Sequence, residues 1–144
     1  YTKQCSVKVA SDDLATMASV FANYGVHPIT KKRHLTCDES IQIMRALRPE
    51  GLYEYSDTWA VKTGMPAKSG VGGGILIVVP GVCGIGIVSP PLDKIGNSVR
   101  GLIAGEQIVR FLNKGKVCLN ARKTHKPKKS HTKMKKHNKT IKKK

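Results

Sequence analysis

The sequence predicts an α+β fold in a single domain of modest core over residues 1–113, on three observations. Apolar residues recur at helical spacing through the first third of the chain. Two Ile/Val-rich runs joined by Pro80-Gly81 follow. Helical spacing then returns and stops near Asn113.

Each element has a local cause. Ser11 is a candidate N-cap, with Asp12 and Asp13 in the first turn at the positive end of the helix dipole. Leu14, Met17, Ala18 and Phe21 form its apolar face, and Gly25 stops the helix. Gly25 to Lys31, with Pro28, reads as a connecting turn. Thr36-Cys37-Asp38-Glu39 is a capping-box pattern. The face it starts runs through Ile41, Met44 and Leu47 or Arg48 until Pro49 and Gly51 end it. Tyr53, Tyr55 and Trp59 lie in a short helix or irregular turn before Gly64 and Pro66. Residues 75–79 and 84–88 read as two strands of a central antiparallel sheet, broken after the second by Pro90 and Pro91. Val99, Ile103, Ile108, Phe111 and Leu112 predict a closing helix.

Charge divides the chain at the same boundary. The formal net charge is +17, but residues 114–144 carry fourteen Lys or Arg and no acid, against twelve bases and nine acids before them. This end reads as a disordered polybasic tail that could bind nucleic acid or another polyanion without specificity; it has no aromatics for base stacking. A coding accident after Asn113 is the alternative. Cys5, Cys37, Cys83 and Cys118 form no C-x-x-C pair, so reduced, partly buried thiols are expected rather than a zinc site or a disulfide framework. The Gly70–Val88 stretch is too broken by Gly and Pro for a membrane helix, which predicts a soluble, cytoplasmic protein. The chain starts at Tyr1 without a signal-like run and is expected to be incomplete there.

Specific runs carry a resemblance. Met65-Pro66-Ala67-Lys68-Ser69-Gly70-Val71-Gly72-Gly73-Gly74-Ile75-Leu76 is similar to the run G-L-P-A-K-S-G-V-x-G-G-I-L of serine-dependent glutaminases. Ser89-Pro90-Pro91-Leu92-Asp93 followed by Gly96-Asn97-Ser98 is similar to their S-P-P-L-D-x-x-G-N-S. The likeness extends back through Asn23-Tyr24-Gly25 and Pro28-Ile29-Thr30 to Tyr1-Thr2-Lys3-Gln4-Cys5-Ser6, similar to Y-x-x-Q-C-S. Met65 for Leu, Gly72 for Ser or Ala, and Lys31 for Gly are the departures; the tail has no counterpart.

The resemblance implies the C-terminal part of a β-lactamase- or penicillin-binding-protein-like fold, with an antiparallel sheet packed against helices. It also implies hydrolysis of L-glutamine to L-glutamate and ammonia through a serine acyl-enzyme. No cofactor or metal is implied, and the intact protein is expected to be a homo-oligomer. In family order the Ser-x-x-Lys nucleophile and base lie upstream of Tyr1, so this chain is expected to hold no catalytic residue and to be inactive alone. Substrate-binding roles fall on Tyr1, Tyr53 and Val71, the last through a backbone N–H aimed at the oxyanion from a strand edge. Lys68, Ser69 and Gly70 support them as the strand motif. Gly70, Gly72, Gly73 and Gly74 would let backbone approach the ligand. Residue type alone also allows a frayed terminus at Tyr1, a packing aromatic at Tyr53 and a strand-edge charge at Lys68.

Three decoys are set aside. Lys62-Thr63-Gly64 spells the β-lactamase triplet without the strand context, and Ser130-His131-Thr132-Lys133 sits where nothing could lower the lysine pKa. His125, His131 and His137 in a lysine tail are weak metal evidence.

Overall fold

The computed structural model describes residues 1–114. Expectations for Cys118, Ser130–Lys133, the three tail histidines and the polybasic tail lie outside the described residues. Four α-helices, α1 (Thr2–Cys5), α2 (Ser11–Ala22), α3 (Cys37–Glu50) and α4 (Ser56–Thr63), precede the strands β1 (Ala67–Ser69), β2 (Gly74–Val79) and β3 (Cys83–Val88); α5 (Val99–Lys114) follows them. A 3-10 turn, Tyr53–Tyr55, leads into α4. The sheet is antiparallel in the order β1-β2-β3, with Lys68 opposite Leu76 and Ser69 opposite Ile75.

Side chains alternate across a strand, so this register sorts the core into two faces. Ala67, Ile75, Ile77 and Val79 pack with Leu52, Trp59, Met65, Leu102 and Val109 beneath α4 and α5. Val78 and the partly buried Leu76 pack on the other side with Ala18, Ala22, Met44, Phe21 and Ile41 of α2 and α3. The result is a helix–sheet–helix sandwich, and each fully buried Ile or Val contributes roughly 1.5–3 kcal/mol. Gly86 of β3 permits the close approach of α2. A Cβ there would lie 2.0 Å from the Ser11 carbonyl oxygen and 2.5 Å from the Ala15 nitrogen.

Local details correct the expectations. The N-cap of α2 is Ala10, not Ser11; its N–H donates to Asp13 Oδ2 at 2.8 Å, so the carboxylate does the capping. Gly25 does lie beyond the end of α2, at φ +89°, with its N–H donating to Val20 O at 2.8 Å. The capping box of α3 is present, with Glu39 N–H donating to Thr36 Oγ1 at 3.2 Å and Thr36 N–H to Glu39 Oε2 at 2.7 Å. Pro49 lies inside the last turn of α3 instead of ending it. Leu47, not Arg48, faces the sheet-side cleft. The four-residue α1 had no sequence signal and buries no residue. Cys37 and Cys83 are partly buried free thiols, whereas Cys5 is exposed. Among the described residues no helix is long and apolar enough to cross a membrane.

Candidate functional site

The run from Lys68 to Gly74 builds one wall of the site. Gly70 N–H donates to Gly74 O and Gly73 N–H to Gly70 O, both at 2.9 Å, closing β1 onto β2 through Val71, Gly72 and Gly73. Gly73 has φ +87°, the left-handed last residue that such a three-residue hairpin loop requires. Val71 is therefore at the tip of a tight turn and 76% exposed, rather than on a strand edge as expected. The loop closes one residue too early for Val71 to join the ladder. Steric control of the glycines also differs from the expectation. At Gly73 a Cβ would meet Pro90 N at 2.9 Å, and at Gly74 it would meet Leu14 Cδ1 at 3.1 Å, so the chain itself demands these two. Gly70 and Gly72 face open space.

Tyr53 lies against Lys68. Its φ is +54°, a left-handed conformation that costs a non-glycine residue about 1–2 kcal/mol and persists only where surroundings impose it. Five hydrogen bonds on the two preceding residues hold the backbone here, among them Gly51 N–H to Leu47 O at 2.9 Å and Tyr55 N–H to Leu52 O at 3.2 Å. Ser69 N–H donates to Gly51 O at 3.1 Å, Leu52 N–H donates to Ser56 Oγ at 2.9 Å, and Asn97 Nδ2 donates to Leu52 O at 3.0 Å. The Tyr53 ring lies 4.7 Å beneath Lys68 Nζ, a cation–π distance. Lys68 Nζ also donates to the carbonyl of Ser69. Lys68, on the α2/α3 face of β1, is thus spent on orienting its neighbours and is more than a strand-edge charge.

The segment after β3 braces the turn and Tyr53. Ser89 N–H donates to Gly73 O at 2.9 Å, and Ser98 Oγ donates to Ser89 O. Asp93 Oδ1 accepts the N–H groups of Ile95, Gly96 and Asn97, each at 2.9 Å, folding residues 93–97 into a compact loop. A Cβ on Gly96 would sit 3.9 Å from Tyr53 Cε2, so this loop lies against the tyrosine ring. Asp93, Asn97 and Ser98 were not singled out as functional in the sequence. Their signal was present in the polar Asp-x-x-Gly-Asn-Ser pattern, whose buried Asn97 and Ser98 are fully inaccessible. Ser69 Oγ and Asn97 Oδ1 are buried without a hydrogen-bond partner among the described residues. Unpaired oxygens of this kind are destabilising by about 1–3 kcal/mol each, so stability does not explain both residues.

The structure brings Tyr53 against Lys68, and Ser69, Gly70 and Val71 follow Lys68 into the turn; Tyr1 is not part of this group. Tyr1 is 98% exposed at the start of α1. Lys62-Thr63-Gly64 is a helix end: Thr63 Oγ1 bonds to Trp59 O at 2.9 Å and Gly64 is a left-handed cap at φ +70°. Lys62 pairs with Glu106 at 3.3 Å. Among the described residues no three His, Cys, Asp or Glu side chains group as metal ligands. Burial raises the Cys83 thiol pKa. Chemically the described residues here offer backbone amides, a phenol and an ammonium group, all hydrogen-bonding groups. Among residues 1–114 no serine stands three positions before a lysine.

Comparison with known proteins places this geometry. A family model described as Glutaminase matches residues 1–115. A glutaminase of Colwellia psychrerythraea is 50% identical over 113 residues, 78% of this chain and 36% of the relative. Glutaminase 1 of Escherichia coli K12 is 54% identical over 101 residues, 70% of this chain and 33% of the relative. The chain thus spans about a third of the length of the curated relatives it matches. Among solved structures, a probable glutaminase, YbaS, superposes with a TM-score of 0.76 at 49% identity, covering 78% of this chain and 37% of that one. Bacillus subtilis glutaminase YbgJ, in covalent complex with 5-oxo-L-norleucine, gives 0.75 at 33% identity, covering 78% of this chain and 41% of that one. The α+β architecture is that of the β-lactamase-like glutaminases. On the family match across residues 1–115 and these superpositions, the chain belongs to the glutaminase family.

Proposed function

We propose that residues 1–113 form the substrate-facing part of a glutaminase site, in which L-glutamine is hydrolysed to L-glutamate and ammonia. A serine hydroxyl attacks the side-chain amide carbon, the oxyanion is held by backbone N–H groups, and ammonia leaves with the proton delivered by the base. Water then cleaves the acyl-enzyme to glutamate. Tyr53 contacts glutamine, the Val71 N–H at the turn tip faces the oxyanion, and Lys68 fixes the Tyr53 ring. Tyr1 joins the substrate contacts only once α1 is packed by further protein. The nucleophile and its lysine are supplied from outside residues 1–114, and the whole protein is a homo-oligomer.

The observation that supports this reading is the convergence of a strained Tyr53 at φ +54° with Lys68 4.7 Å from its ring, beside the glycine turn. Strain maintained at a partly exposed tyrosine fits a binding role better than packing. The reaction of the YbgJ relative with 6-diazo-5-oxo-L-norleucine gives chemical support. That compound carries a carbonyl where glutamine carries its amide carbon.

Ammonia release from glutamine tests the proposal in two arms. Residues 1–144 alone are expected to release none above the uncatalysed background; turnover would show that the nucleophile has been misplaced. A chimera in which residues 1–113 replace the matched 113 residues of the Colwellia relative is expected to be active. In that chimera, loss of the phenol in Tyr53→Phe should lower kcat/KM by about tenfold if its hydroxyl bonds substrate. An unchanged kcat/KM would reduce Tyr53 to packing.

A further inference from the structure

We propose that Asn97 is a positioning residue for Tyr53, holding the tyrosine in its left-handed conformation from 44 residues away in sequence. The inference rests on the reading of Tyr53 as a substrate contact, and it adds the element that makes the contact possible. Asn97 is completely buried, and its Nδ2 donates to Leu52 O at 3.0 Å, on the peptide that enters Tyr53. Its own N–H is tied to Asp93 Oδ1 at 2.9 Å, so the side chain projects from a loop that cannot drift. The same loop brings Gly96 against the Tyr53 ring. The peptides that enter Tyr53 are held from two directions, with Tyr55 N–H also reaching Leu52 O at 3.2 Å. Ser69 N–H on Gly51 O holds them from the strand, and Asn97 holds them from the loop.

Among the described residues, the Asn97 side chain is engaged through its donor on Leu52 O, and its Oδ1 has no partner there. Aspartate is the nearest isostere that lacks that donor. Asparagine at this position therefore has a physical reason that a purely space-filling residue would not.

The test uses the full chain and reads Tyr53 directly. In Asn97→Asp, NMR backbone couplings and shifts at Tyr53 should leave the positive-φ range. The Lys68 side-chain protons, shielded by the ring below them, should move downfield towards ordinary lysine values. A merely structural amide would lower Tm and leave both signals in place, and that result would overturn the proposal. Because Asn97→Asp places a carboxyl in a buried site and can prevent folding, Asp93→Ala, which removes the acceptor of the three loop N–H groups, provides the second variant. It loosens the loop without touching the Asn97 side chain, and smaller shifts in the same direction are expected; none would again overturn the proposal. In the Colwellia chimera, either variant should raise the KM for glutamine, by up to about tenfold, with kcat less affected. If Tyr53 moves but KM does not, the positioning stands and the substrate role of Tyr53 fails.

Discussion

Replacing Tyr53 by glycine should destabilise the chain less than replacing it by alanine, reversing the order found at ordinary positions. Both variants lose the ring and hence the cation–π contact with Lys68 at 4.7 Å, about 0.5–1 kcal/mol at a partly exposed site. They differ in the backbone. Alanine keeps the penalty of φ +54°, about 1–2 kcal/mol, whereas glycine is relieved of it. Glycine in turn gains freedom in the unfolded chain, which destabilises the fold by about 0.4–1 kcal/mol relative to alanine. With mid-range values the difference leaves Tyr53→Gly more stable than Tyr53→Ala by about 0.8 kcal/mol, within a span of roughly 0–1.6. Urea unfolding of residues 1–144 measures it, provided that both variants show the same slope against denaturant. At a negative φ the sign would be opposite. An alanine variant as stable as the glycine one, or more so, would refute the claim that Tyr53 is held under strain, and with it the chief physical support for a binding role.

Other consequences follow from packing and capping. Gly86→Ala would put a methyl group 2.0 Å from the Ser11 carbonyl oxygen, a backbone atom that cannot swing aside, so α2 must shift. A loss of at least about 1–3 kcal/mol in urea unfolding is expected, and a neutral effect would disprove the close helix–sheet contact. Trp59→Phe removes the donor to the Met65 carbonyl at 2.9 Å in a buried setting, and about 1–3 kcal/mol should be lost. Stability equal to the parent would show that carbonyl to be satisfied otherwise. The backbone N–H and hydroxyl of Thr36 donate to Glu39 and hold its carboxyl below the usual carboxylate range. A lowered folded pKa means that the cap stabilises above the unfolded value and loses that contribution as pH falls through the folded one. The acid limb of a Tm-against-pH curve should therefore flatten in Glu39→Gln, and an unaltered limb would remove Glu39 from the account.

Much of this arrangement was readable from local chemistry, because its causes are local. The Thr36–Glu39 capping box, the Pro80-Gly81 turn with Gly81 at φ +74° and the Ile/Val strands depend on neighbours within a few residues. The same holds for α5, whose apolar spacing predicted a helix over the stretch where Val99–Lys114 forms one. Legibility failed where a neighbour in space decided the outcome. Val71 was expected on a strand edge because Lys68-Ser69-Gly70 reads as strand, yet the left-handed Gly73 closes the hairpin at Gly70 and leaves Val71 at the tip. Ser11 looked like a cap on residue type, but the Asp13 carboxylate reaches the Ala10 N–H first.

The candidate site divides along the same line. By itself the sequence determined the α+β class, the glutaminase resemblance and the membership of Tyr53, Lys68, Ser69, Gly70 and Val71 in a common motif set. These are properties of residue type and spacing, which survive without coordinates. Only the tertiary structure decided that Lys68 lies over Tyr53, that Tyr53 occupies a left-handed conformation, and that Asn97 reaches back to the Leu52 carbonyl. Each is a contact between segments remote in sequence or a backbone angle imposed by such contacts, and no local preference of tyrosine or asparagine encodes it.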